Sequence, residues 1–228
     1  MSSIRFDVIT IFPGMFSGYL DESIIKRARE KKLVDIRVHD LRNFARDKHK
    51  KVDDRPYGGG PGMVLKIEPI VRTIGSILKF KKFKNLKTKV VLFSAGGRQF
   101  DQKMAREWAK KYGRIVMIAG RYEGVDERIK KIIKDITGIK VEEICIGPYV
   151  LTGGELPAMI VVDAVARHIV GVLGKEESLE EKRLGVGIPM YTRPDVFEYK
   201  QKKYRVPKEL LSGNHAKIET WRRKHSIK

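Results

Sequence analysis

"GPYVLTGGELPAM", residues 147–159, sets Gly147, Gly153 and Gly154 and two prolines, Pro148 and Pro157, around the short apolar run Tyr149, Val150, Leu151. An apolar run, "VEEICIG" (141–147), leads into it, and a helix-like pattern over 156–172 leads out. A strand that feeds a helix through a glycine-rich turn is the unit of a parallel sheet, where ligands bind beyond the carboxyl ends of the strands. Glycine there lets main-chain N–H and C=O groups approach a ligand closely, because no Cβ holds it off. Pro157 suits the first turn of a helix, where its missing N–H costs nothing.

Working outward, the same alternation runs from Arg5 to about Leu173. Strands are expected at 5–12, 34–41, 89–95, 114–120 and 141–147, and helices near 18–32, 68–80, 101–112, 126–136 and 156–172. Asp101 and Asp126 stand where helix N-caps are expected. Three further glycine-rich turns follow this plan: "SAGGRQF" (94–100), "AGRYEGVDER" (119–128) and the detached "RPYGGGPGM" (55–63). The last lies in a long charged stretch, 42–66, which exceeds an ordinary connection and reads as a functional loop. These patterns predict an α/β domain with a parallel sheet flanked by helices over 1–173, a linker over 174–190, and a small basic all-helical unit over 191–228.

The chain is 228 residues long, 42% hydrophobic, with a net charge of +20 and a pI near 10.0. That length buries a real core, and the charge suits a polyphosphate partner, with nucleic acid favoured over an anionic membrane surface. The longest apolar candidate for a span is interrupted by Asp163, Arg167 and His168. No secretory or lipidation signal opens the chain. With Cys145 alone there is no cysteine metal cluster, and a reducing cytoplasm is the expected compartment. Residues 191–228 carry seven Lys and four Arg against four carboxylates, a net of seven positive charges. No phosphate loop, dinucleotide fingerprint or G-x-S-x-G elbow occurs. His39, His49 and His168 show no metal-ligand spacing, and no metal site is expected from them.

The strings "PYGGGPGMV", "AGRYEGVDER", "GPYVLTGGELPAM", "DAVARHIVGVLG", "YTRP" and "LLSGNHAKIETWR", in that order from Asp7 to Arg222, resemble the bacterial tRNA (guanine N1) methyltransferases of the knotted SPOUT superfamily. The resemblance implies a trefoil knot formed by the segments after the last strands, holding S-adenosylmethionine. It places Ser94, Gly120, Ile146, Gly147, Pro148, Tyr149, Val150, Leu151, Gly153, Gly154 and Pro157 at cofactor-contacting positions. It implies methyl transfer to N1 of the guanosine 3′ of the anticodon, a tRNA partner and a homodimer. Arg167 matches an arginine that steadies negative charge on guanine O6. Arg121, Glu123, Tyr57 and Gly59 match substrate-binding positions, and a magnesium ion at Glu123 is suggested.

The family's general base is a linker aspartate, and residues 174–190 contain none. Alignment on "GVLG" and "YTRP" puts Lys182 or its neighbours there; Glu180 or Glu181 is ionised at neutral pH, with a reference pKa of about 4.3, and could accept the proton instead. Solvated linker charges are the equal alternative. The family also usually has aspartate where Pro148 stands. Two other functions stay open on the residues: a catalytically silent RNA-binding relative, and a methyltransferase for ribosomal RNA. Trp221 and Tyr191 could stack on bases, although a Trp in a small unit is more often its core.

Overall fold

The computed structural model describes residues 3–78, 87–174 and 187–226. The chain forms two compact units, Met1–Val172 and Leu173–Lys228.

The first unit is built on five parallel strands: β1 (Ile4–Thr10), β2 (Val34–Asp40), β5 (Thr88–Gln99), β6 (Arg114–Ile118) and β7 (Val141–Cys145), in the order β2-β1-β6-β5-β7. β1 and β6 are buried along their whole length and β5 over Val90–Phe93, whereas the edge strands β2 and β7 alternate buried with partly exposed residues. Side chains alternate between two cores. Ile4, Phe6, Val8, Ile115 and Met117 face the helices α1 (Ser17–Leu20), α2 (Ser23–Glu30), α4 (Gln102–Lys111) and α6 (Glu155–Ala166). Ile9, Ile11, Val116 and Ile118 face α3 (Ile67–Leu78) and α5 (Arg128–Thr137).

The second face also holds a polar cluster. Arg5, Asp7 and Arg114 are buried; Asp7 Oδ1 accepts from Arg5 Nη2 at 2.8 Å and lies 2.8 Å from His39 Nε2, and Asp7 Oδ2 lies 3.6 Å from Arg114 Nε. Burial pushes the Asp7 carboxyl up, but the hydrogen bonds from His39 and Arg5 and the Arg5 charge outweigh it and hold the group below its usual range.

Several expectations need correction. Asp101 caps α4 as expected, accepting from Met104 N at 2.7 Å, but the N-cap of α5 is Glu127, one residue past the expected Asp126. Asp126 still accepts from Arg128 N at 3.0 Å, so its side chain does related work just outside the helix. The helix expected over 18–32 breaks into α1 and α2 at Ser23, whose φ is +51°. The helix expected to run to 172 ends at Ala166, where His168 N and Ile169 N turn back to the carbonyls of Val165 and Ala166. "SAGGRQF" is a bulge inside β5 and not a turn beyond it: the β5–β7 register shifts between Phe93 and Arg98, and the strand continues to Gln99. Within the long loop, β3 (Asp53–Asp54) pairs with β4 (Val64–Leu65), and Val52 is fully buried.

The second unit is not all-helical. An antiparallel hairpin, β8 (Val196–Tyr199) and β9 (Lys202–Arg205), precedes α7 (Lys208–Leu211) and α8 (His215–Lys224). Its two turn residues, Lys200 and Gln201, both have positive φ, 48° and 59°, the backbone that matches hairpin twist. Asn214 caps α8 through Lys217 N at 3.2 Å. Trp221 meets Tyr191 edge-on with centroids 6.0 Å apart and stacks on His225 at 4.2 Å. Among the described residues no helix is long and apolar enough to cross a membrane.

Candidate functional site

The bulge of β5 and the carboxyl ends of β6 and β7 open into a cleft of about 430 Å³, and the segment 149–157 closes one wall. Nine of the eleven expected cofactor positions line it: Ser94, Gly120, Ile146, Tyr149, Val150, Leu151, Gly153, Gly154 and Pro157. Gly147 and Pro148 do not. Gly147 is buried beneath the Tyr149 ring, where a Cβ would come within 2.3 Å of a ring carbon, and Pro148 is exposed.

The glycines are explained by backbone crossing backbone. Gly154 N donates to Gly120 O at 2.9 Å, Arg121 and Gly153 form an antiparallel bridge, and a Cβ on Gly154 would sit 2.6 Å from Ala119 Cα. No side chain fits there. Gly97 plays the same part in the bulge of β5, where a Cβ would lie 2.6 Å from Glu143 C and Ile144 N.

Arg121 reaches from this wall to the end of β1. Its Nε donates to Glu155 Oε2 at 2.8 Å, its Nη1 to Thr152 O at 3.2 Å, and its Nη2 lies 3.3 Å from Met15 Sδ; the guanidinium sits 4.8 Å from the Phe12 ring centroid. Glu155 is fully buried and also accepts from Thr10 Oγ1 at 2.7 Å. Arg121 lines the cleft, yet each of its nitrogens has a partner within the protein.

Three carboxylates line the cleft, Glu123, Glu127 and Glu143. Glu143 pairs with Lys130. That hydrogen bond, with a smaller one from Ser94, holds the Glu143 carboxyl below its usual range against the opposing effect of burial. Hydrogen bonds to Glu127 first and Glu143 second push the Lys130 ammonium up. Glu123 N donates to Met63 O at 3.0 Å, and Gly62 lies against the Glu123 side chain. The glycine-rich loop 55–63 is thereby stitched to the cleft rim. Tyr57 at its tip is wholly exposed, and Gly58, Gly59, Gly60 and Gly62 all have positive φ.

Arg167 lies outside the cleft. It follows the last turn of α6, half-buried, with its N–H donated to Asp163 O at 3.1 Å. The twelve residues of α6 separate it from Glu155 by about 18 Å at 1.5 Å per residue. Glu180, Glu181 and Lys182 lie outside the described residues, as does most of the expected linker.

The lining fits S-adenosylmethionine in kind: five glycines, Gly96, Gly120, Gly124, Gly153 and Gly154, open the main chain to a ligand, Ile144, Ile146, Val150 and Leu151 are apolar, and Glu123, Glu127 and Glu143 supply negative charge for a cationic group. Among the described residues no group of three His, Cys, Asp or Glu could hold a metal ion. Sequence reasoning missed Thr10, Glu127, Lys130, Glu143 and Glu155. Only Glu155 carried a signal, as an acidic residue opening an otherwise apolar helix.

The family described as tRNA (Guanine-1)-methyltransferase TrmD matches residues 4–228. A protein from Dictyoglomus turgidum named tRNA (guanine-N(1)-)-methyltransferase is 50% identical over 228 residues, covering 99% of this chain and 86% of that protein. Proteins of the same name from Geobacter sp. (strain M21) and Dehalococcoides mccartyi are 47% and 46% identical, each over 99% of this chain and 86% of their own length. With a match over nearly its whole length, the chain belongs to the tRNA (guanine-1)-methyltransferase family.

Proposed function

We propose that the protein transfers a methyl group from S-adenosylmethionine to N1 of the guanosine 3′ of the anticodon in tRNA. The observation that supports this reading is one cleft, at the carboxyl edge of the sheet, lined by nine of the residues that the sequence resemblance assigns to the cofactor. The bound cofactor supplies an activated methyl group on a sulfonium. The chain must therefore hold two reactants in line and take a proton from N1. Gly120, Gly153 and Gly154 present main-chain groups to the cofactor, and Ile146, Val150 and Leu151 wall its apolar parts. Threading of 147–157 against 119–121 as a trefoil knot would account for the backbone crossing at Gly154.

Losing the N1 proton moves negative charge to O6, and Arg167 steadies that charge. Glu180 or Glu181 takes the proton. Arg167 ends a helix that begins at the cleft, so the Arg167 that serves one cleft comes from a second copy. A homodimer follows, and the exposed apolar side chains Phe12, Met15, Tyr19, Leu156 and Ile160 offer it a surface. Tyr57 and Gly59, on the loop stitched to Glu123, extend toward the tRNA. The basic second unit grips phosphates through salt-sensitive contacts. Work on tRNA places the protein in the cytoplasm.

The test is transfer of labelled methyl from S-adenosylmethionine to tRNA transcripts carrying guanosine or adenosine 3′ of the anticodon. Incorporation only into the guanosine transcript is expected. Incorporation into both, or into neither, refutes the assignment.

A further inference from the structure

We infer that Glu155 is a positioning residue for cofactor binding: its buried carboxylate anchors Arg121 as a strut that fixes the cleft wall 152–154. This rests on the reading of the cleft as the cofactor site. Glu155 touches no part of the cleft's open space, yet its two oxygens join segments far apart in the chain, accepting from Thr10 Oγ1 at the end of β1 and from Arg121 Nε. A carboxylate that is fully buried is retained only where it is paired and hydrogen-bonded. Its place in the first turn of α6 adds the favourable end of the helix dipole.

The pairing decides where Arg121 goes. Held at Nε by Glu155, the guanidinium lies across the bare edge of Gly153, where a Cβ would come within 2.3 Å of it, and reaches Thr152 O. Thr152, Gly153 and Gly154 line the cleft. Without Glu155, Arg121 loses its charged partner and keeps only Thr152 O, Met15 Sδ and the Phe12 ring, so its hold over the glycine gap of the wall loosens. The consequence falls on preorganisation of the cofactor site, and misplacement by about 1 Å can cost as much as a hundredfold.

The test compares wild type, Glu155→Ala and Glu155→Gln as full-length proteins, well below their melting temperatures. Readouts are calorimetric Kd for S-adenosylmethionine and S-adenosylhomocysteine, the split between KM and kcat, and hydrogen exchange of amides 149–154. Glu155→Ala is expected to weaken both ligands about ten- to a hundredfold, to raise KM for the cofactor far more than it lowers kcat, and to speed exchange at 149–154. Glu155→Gln keeps an acceptor for Arg121 Nε and recovers most of the affinity. Affinity within twofold of wild type for a folded Glu155→Ala overturns the inference, and so does Glu155→Gln as impaired as Glu155→Ala, which would mean charge matters and positioning does not. If Glu155→Ala does not fold, Thr10→Val removes one of the two partners and leaves the start of α6 intact; it should weaken cofactor binding severalfold, and unchanged affinity overturns the inference. Wild type that binds neither ligand sinks the cofactor reading itself. Wild type that binds both, with variants that match it, sinks only the role of Glu155.

Discussion

Two adjacent glycines in the bulge of β5 should respond differently to the same substitution, one with a large loss of stability and the other with none. Neither Gly96 nor Gly97 has a positive φ, so alanine is admissible at both on backbone grounds and only space separates them. A methyl on Gly96 meets nothing within 4 Å, whereas on Gly97 it lies 2.6 Å from Glu143 C and Ile144 N and 2.8 Å from Ile144 C. Those are main-chain atoms of a neighbouring strand and cannot rotate away. Relieving a deficit of about 1 Å against ordinary carbon contact moves β7 and disturbs the ladder at Arg98–Ile144 and Gln99–Cys145, together with the bond from Phe100 N to Cys145 O at 2.8 Å. Overpacking costs about 1–3 kcal/mol, and one weakened hydrogen bond adds about 1. Gly97→Ala should thus lose about 2–4 kcal/mol, a fall in Tm of roughly 4–16 °C for a unit of this size. Gly96→Ala should be neutral, or stabilising by up to about 1 kcal/mol through the smaller entropy of its unfolded chain. Urea unfolding followed by circular dichroism, with calorimetry for Tm, measures both. Equal shifts of the same sign for the two variants would refute the reasoning.

Other outcomes follow from the same structure. Asp7 has a folded pKa below its ordinary value of 3.8, so its stabilisation is complete above that value and is lost as pH falls through the folded pKa. Unfolding free energy should drop below about pH 4, and Asp7→Asn should flatten that part of the curve while lowering stability at neutral pH. Arg167→Ala should reduce kcat about a hundred- to a thousandfold with tRNA affinity nearly unchanged. If Arg167 serves the cleft of a second copy, mixing Arg167→Ala with a cleft-dead variant should restore part of the activity, and mixed dimers without recovery would argue against that arrangement. Binding of tRNA should weaken steeply between 50 and 200 mM salt, by about a thousandfold if six phosphates are contacted; a filter-binding titration at several salt concentrations gives the slope, and a flat response would rule out a phosphate grip.

Much of the first unit was legible because its central strands β1 and β6 are buried throughout, its edge strands alternate, and its helices carry one apolar stripe. Asp101 was readable as a cap because capping is local. The failures are equally specific. Gly96 and Gly97 read as a turn, since a pair of glycines signals one as readily as it signals a bulge. The hairpin in the second unit was missed because Lys200 and Gln201, the residues at its turn, are not the Asn-Gly or Asp-Gly that usually mark one. Nor does the sequence announce Thr10 and Glu155, which lie 145 residues apart, or the burial of Arg5, Asp7 and Arg114 within strands. Such pairings are settled by the register of β1 against its neighbours, which no local pattern records. The glycines of the cleft were the most readable part of the site, because the demand for backbone approach shows directly in residue type.

That backbone approach has a consequence for inhibition. Where Gly120, Gly153 and Gly154 face the cleft, the surface a ligand meets is main chain, the same in every amino acid but proline. A compound that draws its affinity from those peptide groups leaves few positions at which a coding change could weaken its grip. At Gly154 the neighbouring Ala119 backbone opposes any larger residue, so escape there would come at the cost of the fold that the enzyme itself requires.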